Sequence, residues 1–457
     1  MAREQLGTLL EAAHADWKEV EPAIFGTLLE RALNPKERHK LGAHYTPRAY
    51  VERLVIPVVM EPLRREWDDV QATASLLFHQ GKEEDARAMV GEFHIRLTKI
   101  RVLDPACGSG NFLYVTLEHM KRLEGEVLQV LASYGEKQMS LLQVDPHQFL
   151  GLEVNPRAAY IAEMVLWIGF LQWHFRTHGR VNPPEPVIRR FDNIAHRDAL
   201  IAYRGCKAAV DEWGMPVMRW DGETMRTDPA TGRLVPDEAA VKVDEVYDGV
   251  TPAAWPKADF IVGNPPFVGN KRMRLTLGSG YADALRAAYR ELPESCDFVM
   301  YWWHKVAALV QAGKVKRFGF ITTNSITQVF NRRVVAKYLD DKKPVHLVFA
   351  IPDHPWVDAV DGAAVRIAMT AAEKSEGEGV LAHVVQEKRE TGGRERAVTL
   401  VEWEGGHSFR FDDRGGFAFG KTVVGEWGYF LSGRESCRAR FCSYASRSGA
   451  IRSRAHP

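Results

Sequence analysis

The stretch that decides the reading is ADFIVGNPPFVG, Ala258 to Gly269. Phe260 to Gly263, with Asp259 before them, form a short apolar run that reads as a buried strand. It stops at an Asn and two prolines, which cannot continue a sheet ladder. Such a strand delivers Asn264, Pro265, Pro266 and Phe267 as a stiff loop at its carboxyl end, the edge at which open α/β sheets bind ligands. Because the prolines fix φ, the Asn264 side chain and the Pro265 carbonyl can be held as two acceptors aimed at one point, beside an aromatic face. Two acceptors and a flat face suit a planar amino group, so the loop reads as a grip on the exocyclic amine of an aromatic base. An ordinary Asn-Pro turn after a strand is the alternative.

Upstream, HIRLTKIRVLDPACGSGNFLYVTL (His94 to Leu117) places a strand at Ile100 to Leu103, then Asp104-Pro105, a turn through Cys107-Gly108-Ser109-Gly110, and a helix opening at Asn111. The glycines permit a backbone too tight for any Cβ, and free N–H groups at the helix start would face a ligand carboxylate or phosphate. No Gly-Lys-Ser/Thr follows, so this is not a Walker loop, and Leu113 breaks the dinucleotide pattern. An acid directly before the glycines suits a ligand with a cationic amino-acid group, as in S-adenosylmethionine; a bare tight turn is the alternative.

The next strand is Leu150 to Val154, with Glu153 at its tip, placed to accept both hydroxyls of a ribose. Glu153 follows Asp104 by 49 residues, against about 20 in the usual spacing, and the excess reads as an extended helix and loop. Arg189 to Leu200 offers a third strand ending near Asp198. That carboxylate either takes a cofactor's adenine amino group or is a solvated or capping acid. Residues 203–256, rich in Gly, Pro and charge, read as a surface insertion, a hairpin over the site. Lys271 and Arg272 after the NPPF loop either hold phosphates or are a solvated flank. Phe318 to Ile326, Val345 to Ile351 and Ala363 to Ala372 read as a fifth, sixth and seventh strand. Trp356, in the polar loop between the last two, is either a second stacking surface or a packed lid. Before all of this, helical spacing of leucines through residues 1–40 ends at LGAHYTP, Leu41 to Pro47. This segment is either a linker or a means of presenting His44, Tyr45 and Thr46 to a ligand.

Bulk properties narrow the class. The chain has 457 residues, 46% hydrophobic and 26% charged, with a formal net charge of +1. These are values of an ordinary globular protein, and near-neutrality does not exclude a local basic groove. No uninterrupted apolar run is long enough to span a bilayer, and the N-terminus lacks a signal-peptide pattern, so no membrane partner is expected. Five scattered cysteines without CxxC spacing fit a reducing cytoplasm, and no metal site is expected.

Taken together, LGAHYTP, DPACGSGNF, LEVNP, GNPPF and the TTNSITQ strand resemble the amino-methyltransferases of DNA restriction and defence systems, specifically the MmeI-like adenine-N6 branch. The likeness runs from about residue 15 to 375. It implies an α/β fold: a Rossmann-like, seven-stranded S-adenosylmethionine-dependent methyltransferase core at 96–375, an N-terminal helical region at 1–95 and a C-terminal extension at 376–457. It further implies a site-specific, adenine-specific DNA methyltransferase of a restriction-modification or phage-defence system, acting on double-stranded DNA. His44, Tyr45, Thr46, Asp104, Ala106, Gly108, Gly110, Glu153 and Asp198 would bind the cofactor. Asn264, Pro265, Pro266 and Phe267 would form the catalytic loop, and Phe267, Trp356, Lys271 and Arg272 would meet the substrate. A protein glutamine-N5 methyltransferase, whose target is likewise a planar amide nitrogen, and a non-catalytic remnant that binds DNA or cofactor are the competing classes.

Two departures from that family add expectations. Only about 40 residues precede LGAHYTP, so no nuclease is expected in this chain. About 85 follow Ala372, and the last 27 hold six arginines, one acid and two cysteines. This reads either as a basic DNA-contacting tail or as the disordered end of an incomplete target-recognition region from a truncated or shifted reading frame. In the second case sequence recognition would be lost or supplied by a separate subunit.

Overall fold

The structure is a computed structural model. It describes Gly7 and residues 46–135, 142–178, 192–221, 224–356 and 365–375, together with strand segments between 379 and 443. The helices expected in 1–40 lie outside the described residues, apart from Gly7, as do His44, Tyr45 and most of the arginine-rich tail.

Helix α1 (Arg48–Val55) starts directly after Pro47 and runs through a π-helical turn, Ile56–Met60, into α2 (Glu61–His79). The wider turn accommodates Pro57, which has no N–H to give to the ladder. The Pro57 carbonyl accepts a 2.6 Å bond from buried Arg317. Helix α3 (Glu83–Leu97) carries three acids in its first turn, complementing the helix dipole. It packs on α2 through Phe93 against Trp67, ring centroids 5.2 Å apart.

The sheet follows. Strands β1 (Val102–Asp104), β2 (Phe149–Glu153), β3 (Ile194–His196), β4 (Phe260–Gly263) and β5 (Arg317–Thr323) are mutually parallel. Strands β6 (His346–Pro355) and β7 (Arg366–Glu373) complete the order 3-2-1-4-5-7-6, with β7 antiparallel to both of its neighbours. All seven expected strands are present. The sheet is larger than expected: among the described residues it has twelve strands. The outer edge of β6 offers unpaired backbone groups. β8 (Gly379–Arg389) takes them in parallel, followed by β9 (Arg396–Gly405) and β10 (Ala439–Ser443).

Alternation along each strand separates two cores. Val102, Phe260 and Val262 enter one apolar cluster with α1 to α5, whereas Leu103, Ile261 and Phe318 enter the other. Helices α4 (Asn111–Ser133) and α5 (Pro156–His178) cover the first face. Short helices α6 (Asn270–Leu277) and α7 (Ser279–Ala288), then α8 (Val299–Gln311) and α9 (Val329–Leu339), cover the second. Among the described residues no helix is long and apolar enough to cross a membrane.

The insertion is one long antiparallel ribbon. Nested pairings join 205–208 to 245–248, 218–220 to 241–243 and 225–227 to 234–236. Its base packs on α7 so tightly that a Cβ on Gly280 would meet the Glu245 carbonyl oxygen at 1.5 Å.

Candidate active site

Because β1 to β5 run parallel, their carboxyl ends, and the loops that leave them, share one edge of the sheet. Gly108 and Asn264 therefore stand on the same side of the molecule. Contact is close: a Cβ on Gly263, the last residue of β4, would lie 2.5 Å from Oδ1 of Asp104, the last residue of β1.

The loop after β1 needs its glycines. Gly108 and Gly110 have φ of +52° and +83°, in the left-handed region that other residues avoid. Its donors, however, are used internally. Ala106 N–H donates to Asp104 Oδ1 (3.0 Å), Cys107 N–H to the Leu152 carbonyl (3.1 Å), Gly108 N–H to Glu153 Oε2 (2.9 Å) and Gly110 N–H to the Cys107 carbonyl (2.8 Å). These four N–H groups lie in the turn ahead of the helix start, and the two strand-tip acids and two carbonyls take them up. What the loop offers instead is a pair of desolvated carboxyl groups that a cation would draw into the ionised form. Asp104 is 1% exposed. Burial pushes its carboxyl up to about 8, and the like charge of Glu153 adds to the rise. Glu153, whose other oxygen accepts Asn155 N–H at 2.8 Å, is also raised, again chiefly by burial. Two desolvated carboxyl groups side by side favour a cationic ligand.

At the tip of β4, Pro265 is buried, while Asn264, Pro266 and Phe267 are partly exposed. Asn264 Nδ2 donates to the Thr46 hydroxyl at 3.0 Å, and Asn264 Oδ1 is buried with no hydrogen-bond partner. The Thr46 carbonyl accepts Asn111 Nδ2 at 2.5 Å, joining the LGAHYTP segment to the helix start behind the glycine loop. Downstream of the loop, Asp297 holds the exit: it accepts Asn270 N–H (2.9 Å), the Ser325 hydroxyl (2.7 Å) and Asn331 Nδ2 (2.7 Å). Trp302 Nε1 donates to the Pro105 carbonyl at 3.2 Å, tying α8 to the glycine loop.

The remaining expected residues are placed as follows. Trp356 directly follows β6, at the start of a connection whose residues 357–364 lie outside the described residues; it is buried, and meets Phe267 edge-on at 6.0 Å and Tyr50 at 5.5 Å. Asp198 Oδ1 accepts Leu200 and Ile201 N–H (2.6 and 3.0 Å) and Oδ2 accepts the Tyr281 hydroxyl (2.7 Å), so one oxygen serves the turn into the insertion and the other ties it to α7. Lys271 and Arg272 are exposed on the first turn of α6. Sequence reasoning missed Asn111, Asp297 and Trp302 as parts of the site. Only Asn111 carried a signal, its place directly after the glycines. Among the described residues no cluster of His, Cys, Asp or Glu could hold a metal ion.

Comparison with known proteins agrees with this geometry. Residues 80–382 match the family described as MmeI, DNA-methyltransferase domain. The chain is 24% identical over 359 residues to DNA methyltransferase A of Bacillus subtilis strain 168, covering 77% of this chain and 33% of that protein. Among solved structures, the type IIL restriction-modification enzyme MmeI in complex with DNA superposes with a TM-score of 0.60 at 25% identity, covering 87% of this chain and 45% of that one. The chain thus spans a third of that curated relative and less than half of that solved chain. With the strand order, the glycine turn and the NPPF loop on one sheet edge, the chain belongs to the MmeI DNA-methyltransferase domain family.

Proposed function

We propose that this chain methylates N6 of an adenine flipped out of double-stranded DNA, with S-adenosylmethionine as donor, as part of a restriction-modification or defence system. The observation that carries the reading is Asn264 Oδ1, a buried acceptor without a partner at the tip of β4, beside buried Asp104. The residues present suit the donor: Asp104 and Glu153 answer its positive charge and its hydroxyls, and the turn at Ala106, Gly108 and Gly110 lets it approach the backbone. His44, Tyr45 and Asp198 complete this cofactor set in the proposal.

When bound, S-adenosylmethionine supplies an electrophilic methyl group. Everything else falls to the protein. Adenine N6 is a weak nucleophile because its lone pair is delocalised into the ring. With Asn264 Oδ1 and the Pro265 carbonyl each accepting a hydrogen bond from its N–H groups, the nitrogen pyramidalises and turns its lone pair out of the ring plane; as the N–C bond forms the methyl's C–S bond breaks to leave a neutral thioether, and the nitrogen sheds one proton to solvent past these acceptors. Orientation of this kind contributes up to about 7 to 11 kcal/mol in well-placed systems. Unstacking the base costs a few kcal/mol, and stacking on Phe267 returns about 1 to 3 kcal/mol. Trp356, set edge-on to Phe267, backs that ring.

The test is incubation of the protein with tritiated S-adenosylmethionine and either plasmid DNA or purified protein substrates, followed by nucleoside analysis. Label in N6-methyladenine is expected. Label in protein glutamine, or in no acceptor, would reject the reading. Asn264→Ala should lower turnover by about 10²-fold to 10³-fold, the loss typical for one aligned charge-stabilising group, while cofactor binding persists.

A further inference from the structure

We infer that Asp297 is a positioning residue: its carboxylate clamps the exit of the NPPF loop and so sets where Asn264 and Phe267 meet the substrate base. The inference rests on the role proposed for Asn264. A loop holds its tip in place when both of its ends are fixed. The entrance is fixed by the sheet, where Gly263 pairs with Phe320 of β5. Past Phe267 the chain has left the sheet, and two bonds tie it to the start of α8. The Val268 carbonyl accepts Phe298 N–H at 2.9 Å, and Asn270 N–H donates to Asp297 Oδ1 at 2.9 Å.

Asp297 is held in turn by the turn after β5 and by α9. Its Oδ2 accepts the Ser325 hydroxyl and Asn331 Nδ2, both at 2.7 Å, while its own N–H donates to Asn331 Oδ1 at 2.8 Å. Chemistry fixes each role in this cluster. A carboxylate accepts and a backbone N–H donates, so the buried Asn331 amide can face Asp297 in one orientation. Asn331 Nδ2 reaches the Ser325 carbonyl as well, at 3.0 Å. Ser325 sits in the 3-10 turn Asn324–Thr327, so the TTNSITQ segment carries the far side of the clamp. Where the catalytic loop stands therefore depends on the strand and helix beyond it, and a misplacement of about 1 Å costs roughly 10²-fold in rate even when its source is away from the reacting atoms.

Asn270→Pro isolates the bond. Asn270 is the first residue of α6, where proline is favoured, and Gly269 before it has the extended backbone (φ −66°, ψ 147°) that a following proline requires. Proline replaces the N–H with a ring carbon set against Asp297, whereas Asn270→Ala keeps the N–H and loses the side chain alone. Asp297→Asn keeps the shape of the clamp but turns an amide donor onto Asn331 Nδ2, also a donor. The measurement is steady-state methylation of plasmid DNA with tritiated S-adenosylmethionine, with calorimetric binding of S-adenosylhomocysteine to count competent sites and melting curves to check folding. Expected for Asn270→Pro and Asp297→Asn is a kcat per competent site about 10-fold to 100-fold below wild type, with the S-adenosylhomocysteine Kd within about threefold. Asn270→Ala should keep at least about tenfold more kcat than the proline variant. A role in stability alone would lower the number of competent sites and leave the rate at each one unchanged. If the proline variant does not fold, Asp297→Asn carries the test. A folded proline variant as fast as the alanine variant, or an Asp297→Asn variant as fast as wild type, would overturn the inference and leave the reading of Asn264 standing. A Kd that rises in step with the loss of kcat would overturn it too, since Asp297 would then act on the cofactor. If wild type binds S-adenosylhomocysteine yet labels no DNA, the reading of Asn264 fails, and this inference with it.

Discussion

Asp104 shows what burying a carboxyl costs the protein in stability. An unfolded chain releases this proton near pH 3.8, whereas burial keeps it on the folded protein up to about pH 8. Between those values the folded state binds more protons than the unfolded one, so stability falls as pH rises, and the full penalty is present above pH 8. A cationic ligand reverses the effect by favouring the carboxylate. Asp104→Asn removes the ionisation while keeping the shape. Without ligand, the variant is therefore expected to melt higher than wild type at pH 8.5, by roughly 2 to 4 °C for each kcal/mol recovered, and to lose that advantage toward pH 4. Its affinity for S-adenosylmethionine should fall at least about tenfold, as expected for a lost charge-assisted bond of ~1.5 to 3 kcal/mol. Melting curves at the two pH values and titration calorimetry check both parts, and a pH-independent difference in melting temperature would remove Asp104 as its source.

Between elements, the contact to watch is β4 against β1. Gly263 leaves no room for a methyl group, because the atom that a Cβ would strike is the Asp104 carboxylate itself. Gly263→Ala should shift that carboxylate, destabilise the protein by about 1 to 3 kcal/mol as overpacking does, and weaken cofactor binding. Urea unfolding and titration calorimetry measure the two effects, and an alanine variant with unchanged affinity would show that Asp104 does not hold the cofactor. The same elements show why part of the site was legible in the sequence. β4 announces itself by an apolar run cut off by Asn264, Pro265 and Pro266, and β1 by an acid and a glycine turn, both local signals. β3 is only three residues long, and the fifth strand stops at Thr323 because Asn324–Thr327 winds into a 3-10 turn, neither of which periodicity foretells. The Thr46 to Asn264 bond spans 218 residues. Nothing near either residue encodes it, since it arises only when α1 and β4 meet across the sheet edge. The end of β6 was read as loop for a related reason: its polar residues, among them buried His354 bonded to Arg53 at 2.6 Å, look like a loop until the partner strand and helix supply their bonds.

Across the whole molecule, the charges divide the surface beside the pocket. The ribbon formed by residues 203–252 carries ten acidic and six basic side chains, and it exposes Trp213, Met215 and Met218. It is therefore an unfavourable neighbour for phosphates. Helix α6, immediately after the NPPF loop, presents Lys271 and Arg272 to solvent, while the third basic residue of that turn, Arg274, is paired with Asp283. If DNA reaches Asn264, its backbone should run past α6 rather than along the ribbon. Each phosphate contact contributes about 0.9 to the slope of log affinity against log salt. Replacing Lys271 and Arg272 by Gln should then reduce that slope by up to about 2 and weaken binding to all sequences alike, with cofactor affinity unchanged. Replacing Asp211 and Glu212 on the ribbon by the corresponding amides should leave the slope alone or strengthen binding slightly. Filter binding or fluorescence anisotropy between roughly 50 and 200 mM salt, the range in which such slopes are resolved, separates the two faces. A slope unchanged in the α6 variant but altered in the ribbon variant would put the DNA on the other side of the pocket.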